Sequence, residues 1–514
     1  MPAPRAPPWR STSYAADSTS GSSTGPPHAF DGSRAKGIQP RSLEVLEDLG
    51  ALDDVLAGGD IYPKLGLHAG PIGVPWKMFP HKEATPDVPY PNTWLIPQFR
   101  TDRALHARLG ELGREVEFGK ELTELTQDED TVVAKVVGAD GVEEIVARYA
   151  VGADGGSSAV RKQLGIGFVG TTDEADRVLI VDASVSGLAR NRWHMWPGLG
   201  GKLIGACPIP DSDMFQWMIR LTPDEKPPQE IGAIIDRIHS HTRNRHIQLH
   251  EIHWKSVFRP NIRLAEHYSR GRVFLVGDAA HVHTPAGAQG LNTGMQDGYN
   301  LGWKLGQVLA GADPALLDTY EAERQPIAAG VLGLSTEKWG GIAKLEPSSM
   351  KRGKDEQQLS LTYYGGPLAP ADSGGTGTLH VGDRAPDARL LTADGAETRL
   401  FTLLKGPHFT AIAYGPDAAR DLDLLDWPTT GAQLKRLTIG SAAGFSDARN
   451  TLRSAYGLTG DTLLLIRPDG YIGHIATRDF LTTAQAAVRA MTPQARSRTM
   501  SQPSHTYPAA AATE

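Results

Sequence analysis

The 514-residue chain is expected to be a multidomain protein of mixed α/β and α+β class, on three observations. Val273-Phe274-Leu275-Val276 is an unbroken apolar run ending at Gly277, as a strand buried on both faces of a parallel sheet reads. Phe215, Trp217, Ile219 and Leu221 alternate with Gln216, Met218 and Arg220, the period of a half-buried strand in an antiparallel sheet. Residues 346–377 are polar and rich in Gly, Pro and Ser, so they are expected to link a further unit.

Composition narrows the function. A net charge of −7 offers no basic footprint for nucleic acid. Cys207 is the single cysteine, so no internal disulfide forms, which fits a reducing cytoplasm. No apolar run approaches the roughly 18 residues of a membrane span.

Asp278 stands at the carboxyl end of the 273–276 run, where ligands of an open α/β sheet sit. A carboxylate there accepts hydrogen bonds from sugar or polyol hydroxyls. The Pro- and Gly-rich loop beyond it feeds a helix expected to begin near Asn292. Its unpaired N–H groups and positive dipole end would point back at whatever Asp278 holds. Gly294, Gly298, Gly302 and Gly306 recur every fourth residue, with Leu291, Met295, Leu305 and Leu309 between them. Gln296, Asp297, Asn300 and Lys304 exclude a membrane GxxxG dimer, so close packing on a sheet or a flat cofactor is expected.

Gly-Asp-Ala-Ala-His at 277–281, followed by Pro-Ala-Gly-Ala-Gln-Gly-Leu-Asn-Thr-Gly at 285–294, resembles the second flavin motif of the single-component FAD-dependent aromatic hydroxylases. That group comprises the p-hydroxybenzoate hydroxylase and polyketide hydroxylase superfamily. The resemblance implies that Asp278 binds the ribityl chain, that Pro285 lies beside the reacting ring, and that Gly290, Leu291 and Asn292 contact the isoalloxazine edge. It implies a Rossmann-like FAD-binding domain, an antiparallel-sheet substrate domain and, in many members, a C-terminal thioredoxin-like domain. The implied cofactor is FAD, NAD(P)H is a transient electron donor, and O2 is consumed through a flavin C4a-hydroperoxide. The substrate would be a phenolic or polycyclic aromatic compound. No metal is implied.

In chain order, residues 1–30 are crowded with prolines and serines, so they are expected to be disordered or aberrant, and they hold no apolar core of a secretory signal. The family opens on a strand, a Gly-x-Gly-x-x-Gly turn and a helix. That unit is not found, and the family pattern resumes at Gly32-Ser33-Arg34-Ala35-Lys36-Gly37. A misassigned start or reading frame upstream of about residue 30 is therefore expected, which leaves the FAD-binding domain incomplete at its N-terminus. Gly165-Ile166-Gly167-Phe168-Val169-Gly170 matches the glycine pattern in the inverted context of a helix stop and a strand entry.

Pro40–Leu49 reads as a helix with Pro in its first turn and Gly50 as its stop. Arg34, just before it, resembles a family arginine at the FAD, with a solvated loop cation as the lesser alternative. Gln98, ahead of an expected helix from Thr101 to Leu112, resembles a family glutamine at the flavin; a surface glutamine is the alternative. Strands are expected at Val132–Val137 and Ile145–Val151. Asp154-Gly155 resembles the family's Asp-Gly motif near FAD and the path of the nicotinamide donor, with N-capping by Asp154 or Ser157 as the plain alternative. Residues 31–170 and 271–345 would form the FAD-binding domain and 171–270 the substrate domain, with Trp193, His194, Met195 and Trp196 as candidate pocket aromatics or plain core. Arg324-Gln325-Pro326 resembles a segment packed at a domain junction. Val381–Pro386, Ala411–Tyr414 and Thr462–Tyr471 resemble the thioredoxin-like domain, expected over 378–492. It lacks Cys-x-x-Cys and is expected to be structural or dimer-forming, with a disordered tail over 493–514.

His281 and His283 are candidate bases by position, although satisfied structural histidines are the commoner case. Two other functions stay open on sequence alone. One is a non-catalytic, FAD-poor scaffold, favoured by the missing glycine turn; the other is a flavin oxidase or dehydrogenase that only passes electrons.

Overall fold

The computed structural model describes residues 28–69, 72–76, 81–284, 288–343, 355–440 and 444–493. The expected replacement of the first βαβ unit and the expected tail thus fall largely outside the described residues. The helix Pro40–Leu49 has the expected limits: Pro40 starts it, and Gly50 ends it at φ 79°, a conformation that glycine reaches without penalty. The next long helix spans Gln98–Glu111, so Gln98 lies in its first turn instead of in the loop ahead of Thr101. Gly165 at φ 63° closes the short helix Ala159–Gln163, and the strand Phe168–Thr172 follows, so the second glycine pattern is a helix stop and strand entry.

The run Ile145–Val151, read as one strand, is two. Gly141–Ala147 pairs antiparallel with Val132–Gly138, whereas Ala150–Gly152 pairs in parallel with Val273–Leu275 in another sheet. Val273, Phe274 and Leu275 are all buried, as the apolar run requires.

The glycine-rich helix spans Gly290–Leu309, starting two residues ahead of the expected position. A Cβ on Gly294 would stand 3.0 Å from the Cα of Gly277, so the helix and the strand-end turn touch backbone to backbone. Its polar residues are buried, and each of Gln296, Asp297, Asn300 and Lys304 makes at least one side-chain hydrogen bond. Lys304 and Asn300 donate to the carboxylate of Glu323 at 2.7 and 2.8 Å, and Arg467 donates to its other oxygen at 2.7 Å. Burial lowers the Lys304 ammonium to about 8 although Glu323 pulls it up. No helix among the described residues is long and apolar enough to cross a membrane.

Seven strands form the largest sheet, in the order Gln248–Phe258, Arg177–Ser186, Met214–Leu221, Leu203–Pro208, Arg192–Pro197, Lys64–Ala69, Ile72–Trp76. The pairing is antiparallel except where Arg192–Pro197 meets Lys64–Ala69 in parallel. The expected antiparallel region thus recruits two strands from residues 64–76 and also contains a helix, Ile231–Thr242. That helix buries Ile234 and Ile238 against Val181, Phe215, Trp217 and Ile219 on one face of the sheet. The opposite face carries Asp182, Gln216 and Cys207, whose residues pair in register across three strands.

Beyond residue 378 a four-stranded sheet has the order Leu434–Ile439, Phe409–Tyr414, Thr462–Ile466, Ile472–Ala476, with only the first pair parallel. Residues 355–377, read as a linker, are packed. Gln358 donates to Gln289 and Thr293 of the glycine-helix start, and Tyr363 and Leu368 are buried. Arg399 bridges Glu47 and Asp387, fastening this unit to the first helix.

Candidate functional site

The strand Val273–Leu275 leads into a single tight turn, Gly277–Ala279, which Gly277 enters at φ 58°. The Gly277 N–H donates to Asp297 Oδ2 at 3.1 Å, and His281 Nε2 shares that oxygen at 2.7 Å. Arg324 Nε donates to the other oxygen at 2.8 Å. Burial would raise the Asp297 carboxyl, but Arg324 and His281 hold it below the usual range, so it is a charged clamp on the turn. Arg324 continues to the Thr293 carbonyl at 3.2 Å and the Tyr363 hydroxyl at 3.1 Å. Asp278, next to the clamped glycine, is left exposed with no hydrogen bond to the described residues. His281, a candidate base by position, is buried and engaged by Asp297.

The first intrahelical bond of the glycine helix runs from Thr293 N–H to the Gln289 carbonyl at 2.8 Å. The N–H groups of Gly290, Leu291 and Asn292 find no acceptor among the described residues, at the positive end of a 20-residue helix. The Asn292 side chain is already committed. It accepts from Gln39 N–H at 2.8 Å and donates to the carbonyls of Gly37 at 2.8 Å and Ala288 at 2.7 Å. Only its backbone remains for a ligand, which sharpens the expected contact. The Leu291 side chain likewise packs into the cluster of Leu43, Leu46 and Met295.

His283 hydrogen-bonds the Thr284 carbonyl through Nδ1 at 2.7 Å, so Nδ1 carries the proton and Nε2 is an acceptor. Nε2 is buried without a partner and lies over the helix start, where a Cβ on Gly290 would sit 2.7 Å away. Burial pushes this imidazole down, against the Thr284 carbonyl, so it stays neutral. Pro285 lies outside the described residues.

Across the turn, Asp154 Oδ2 accepts from Val160 N–H at 3.0 Å, and Ser158 Oγ, not Ser157, caps Arg161 N–H at 2.9 Å. Asp154 Oδ1 is buried and unpartnered. Arg161, which no sequence motif marked, joins the two loops by donating to the carbonyls of Ala279 at 2.8 Å and Gly156 at 2.9 Å, with its guanidinium 3.8 Å from the Phe168 ring centre.

The third wall is the segment 33–39. Ala35 N–H donates to Gln98 Oε1 at 3.4 Å, beside the half-buried Arg34. Ser33 donates through N–H and Oγ to Asp182 on the large sheet, at 2.7 and 2.5 Å. Behind Gln98, burial pushes the Asp102 carboxyl up to about 7 against a hydrogen bond from Gln98. The four candidate pocket residues separate by strand alternation. Trp193 and Met195 face the segment 33–39, whereas His194 and Trp196 lie buried on the other face.

Contacts connect these elements: His283 to Gly290, Asn292 to Gly37, Ala35 next to Arg34 to Gln98, and Arg161 to the loops that carry Asp154 and Asp278. The groups left open among the described residues are three N–H donors at a positive helix terminus, a carboxylate at the strand end, Asp154 Oδ1 and His283 Nε2. That donor set fits a flat heterocycle with carbonyl oxygens carried on a polyol arm, and the glycine-on-glycine contact lets it lie close to backbone.

A family model described as FAD binding domain matches residues 27–335. A flavin-dependent monooxygenase of Mycobacteroides abscessus is 39% identical over 456 residues, covering 87% of this chain and 90% of that protein. A 12-dehydrotetracycline 5-monooxygenase/anhydrotetracycline 6-monooxygenase of Streptomyces rimosus is 33% identical over 471 residues, covering 86% and 87%. The solved structure of OxyS anhydrotetracycline hydroxylase from Streptomyces rimosus superposes with TM-score 0.70 at 31% identity, covering 91% of this chain and 93% of that one. These relatives are enzymes that insert oxygen, which supports the monooxygenase reading over a non-catalytic scaffold or an electron-passing dehydrogenase. The chain belongs to the FAD-binding-domain family of flavin-dependent aromatic monooxygenases.

Proposed function

We propose that FAD lies against the start of the glycine helix and that a phenolic or polycyclic aromatic substrate is hydroxylated beneath the large sheet, at the expense of NAD(P)H and O2. Reduced by NAD(P)H, bound FAD supplies the activation of O2. The residues of the chain do the rest. The N–H groups of Gly290, Leu291 and Asn292 stabilise negative charge at the edge of a ring, because they are fixed before it arrives. Asp278 accepts from polyol hydroxyls. Asp154, Gln98 and Arg34 bound the same space from the opposite walls, and Arg161 holds the Asp154 and Asp278 loops at a constant spacing. Neutral His283 offers Nε2 as an acceptor at the helix start. Pro285 keeps, on resemblance alone, its place beside the reacting ring. The sheet face above, with Trp193, Met195 and Met218, excludes water from the reacting centre.

The anhydrotetracycline named for relatives supports the polycyclic end of the substrate range. Residues 378–492 are read as thioredoxin-like because their strand order, one parallel pair followed by two antiparallel ones, suits that fold. Without Cys-x-x-Cys the unit serves packing or dimer formation. One buried cysteine and no disulfide are in keeping with a cytoplasmic setting. The observation that carries the proposal is the set of helix-start N–H donors without an acceptor among the described residues, on a helix that touches, glycine to glycine, the turn carrying the exposed Asp278. Purified protein should be yellow and should oxidise NAD(P)H faster when an aromatic substrate is present, with labelled oxygen from O2 in the product. A colourless protein that takes up no added FAD would end the proposal.

A further inference from the structure

Lys36 is a cation without a counter-ion. It leaves the segment 33–39 half-buried under the large sheet, where its ammonium bonds to Gln216 Oε1 and stands 4.8 Å from the centre of the Trp193 ring. None of the ion pairs among the described residues includes it. The Asp182 carboxylate, whose charge Lys36 feels, is occupied by both donors of Ser33, and Gln216 Nε2 is spent on the Ser33 carbonyl and hydroxyl at 3.0 and 2.6 Å. An ammonium has three donors, and only one of these is engaged among the described residues. Beside it the Trp193 indole N–H is buried with no partner. Free donors on a desolvated cation are costly unless an acceptor arrives to meet them.

The surroundings indicate what arrives. Gly205 leaves a gap in the sheet face: a Cβ there would meet Met195 Sδ at 2.9 Å, Met218 Cε at 3.2 Å and Trp193 Nε1 at 3.6 Å. Tyr62 tilts against Trp193 with ring centres 6.1 Å apart. Flat, polarisable walls of this kind suit an aromatic ring. A single point charge with one indole N–H suits a single oxygen, whereas a carboxylate would match the two-pronged fork of an arginine. We propose that Lys36 and Trp193 form a subsite that takes the ionised hydroxyl of an acidic phenol or enol on the substrate ring. The released proton goes to solvent, and the ring gains electron density at the carbons beside and opposite that oxygen, which favours attack by an electrophilic oxygen. Burial lowers the Lys36 ammonium while Cys207 and Asp182 raise it, and His253 and Arg190 lie behind those two groups. Lys36 and Trp193 are positioning residues for the substrate.

The inference rests on the aromatic hydroxylase reading, so its test uses two probes that separate the failures. Alizarin, whose colour reports ionisation, and its dimethyl ether, which cannot ionise, are titrated into the FAD-loaded full chain from pH 5 to 8. Bound alizarin should turn to its red anion about one pH unit or more below its transition in solution, which is about a tenfold preference for the anion. Lys36→Met should abolish that shift and weaken alizarin about tenfold while the dimethyl ether binds within about twofold of wild type. Lys36→Arg should keep the shift, and Trp193→Phe should reduce it in a chain that retains its flavin. Ionisation at the solution pH, or equal loss of both probes in Lys36→Met, overturns the subsite and leaves the hydroxylase reading standing. If neither probe binds wild type, the aromatic-substrate reading falls and the subsite falls with it.

Discussion

Replacing Gly294 by alanine asks directly whether the backbone contact beneath the site matters. The added carbon would stand 3.0 Å from Gly277 Cα, where carbon atoms prefer about 3.5–4.0 Å, so helix and turn must part by roughly 0.5–1 Å. Both partners are backbone, so no side chain can swing aside. Overpacking of this kind costs about 1–3 kcal/mol, against which alanine regains about 1 kcal/mol of helix propensity. The net loss of about 0–2 kcal/mol falls on the turn that Asp297 clamps and that aims Asp278. The dissociation constant for FAD, measured by quenching of flavin fluorescence, should therefore rise about tenfold, equivalent to about 1.4 kcal/mol. Gly330→Ala is the control. Gly330 is exposed on the helix Thr319–Ala343 with nothing within 4 Å of an added Cβ, so only the gain in propensity should appear, as a slightly higher melting temperature. A Gly294→Ala protein that binds FAD like wild type and melts like Gly330→Ala would refute the role given to this contact.

Arg324→Met should lower stability by about 3–5 kcal/mol in urea unfolding, because it removes the guanidinium from the buried Asp297 carboxylate and leaves it only His281 and the Gly277 N–H; a change below about 1 kcal/mol would show that the clamp is dispensable. Arg161→Lys cannot bridge the Ala279 and Gly156 carbonyls with one fork, so FAD affinity should fall about tenfold with little change in melting temperature. Asp102 titrates in the folded chain near 7 instead of 3.8, so between those values the folded state holds the extra proton and stability falls as pH rises. Thermal melts of wild type should lose at most about 4 kcal/mol from this group between pH 4 and pH 8, and Asp102→Asn should remove that loss. Parallel melting curves for the two proteins would contradict this.

Much of this was legible where the signal is local. Pro40 and Gly50 bracket a helix because a fixed φ starts it and a left-handed residue ends it, and both demands are written within ten residues. Asp278 and the four-residue glycine repeat likewise announce a strand end and a helix able to press against it. What stayed hidden is long-range pairing. Arg161 reaches Ala279 across 118 positions and Ser33 reaches Asp182 across 149, and no spacing rule encodes such partners. Asp297 was visible as a polar residue in an apolar helix, a signal that argued against a membrane span when it also marked a buried clamp. The division of Trp193 and Met195 from His194 and Trp196 follows from the period of two and was available beforehand. Gln98 was misplaced by one helical turn because Pro97 masks the true start: the helix lacks a capping side chain, so the usual polar N-cap signal is absent.

The central claim is that a carboxylate at the strand end and the open N–H groups of the glycine helix hold the flavin between them. The most direct measurement is the flavin bound per chain in purified Asp278→Ala beside wild type, together with the FAD dissociation constant of each. The account predicts a yellow wild-type protein and an Asp278→Ala protein that is largely colourless, folds with an unchanged melting profile in the absence of FAD, and rebinds the cofactor at least about tenfold more weakly, a deficit of about 1.4 kcal/mol. Asp278→Ala that retains FAD with wild-type affinity would contradict it.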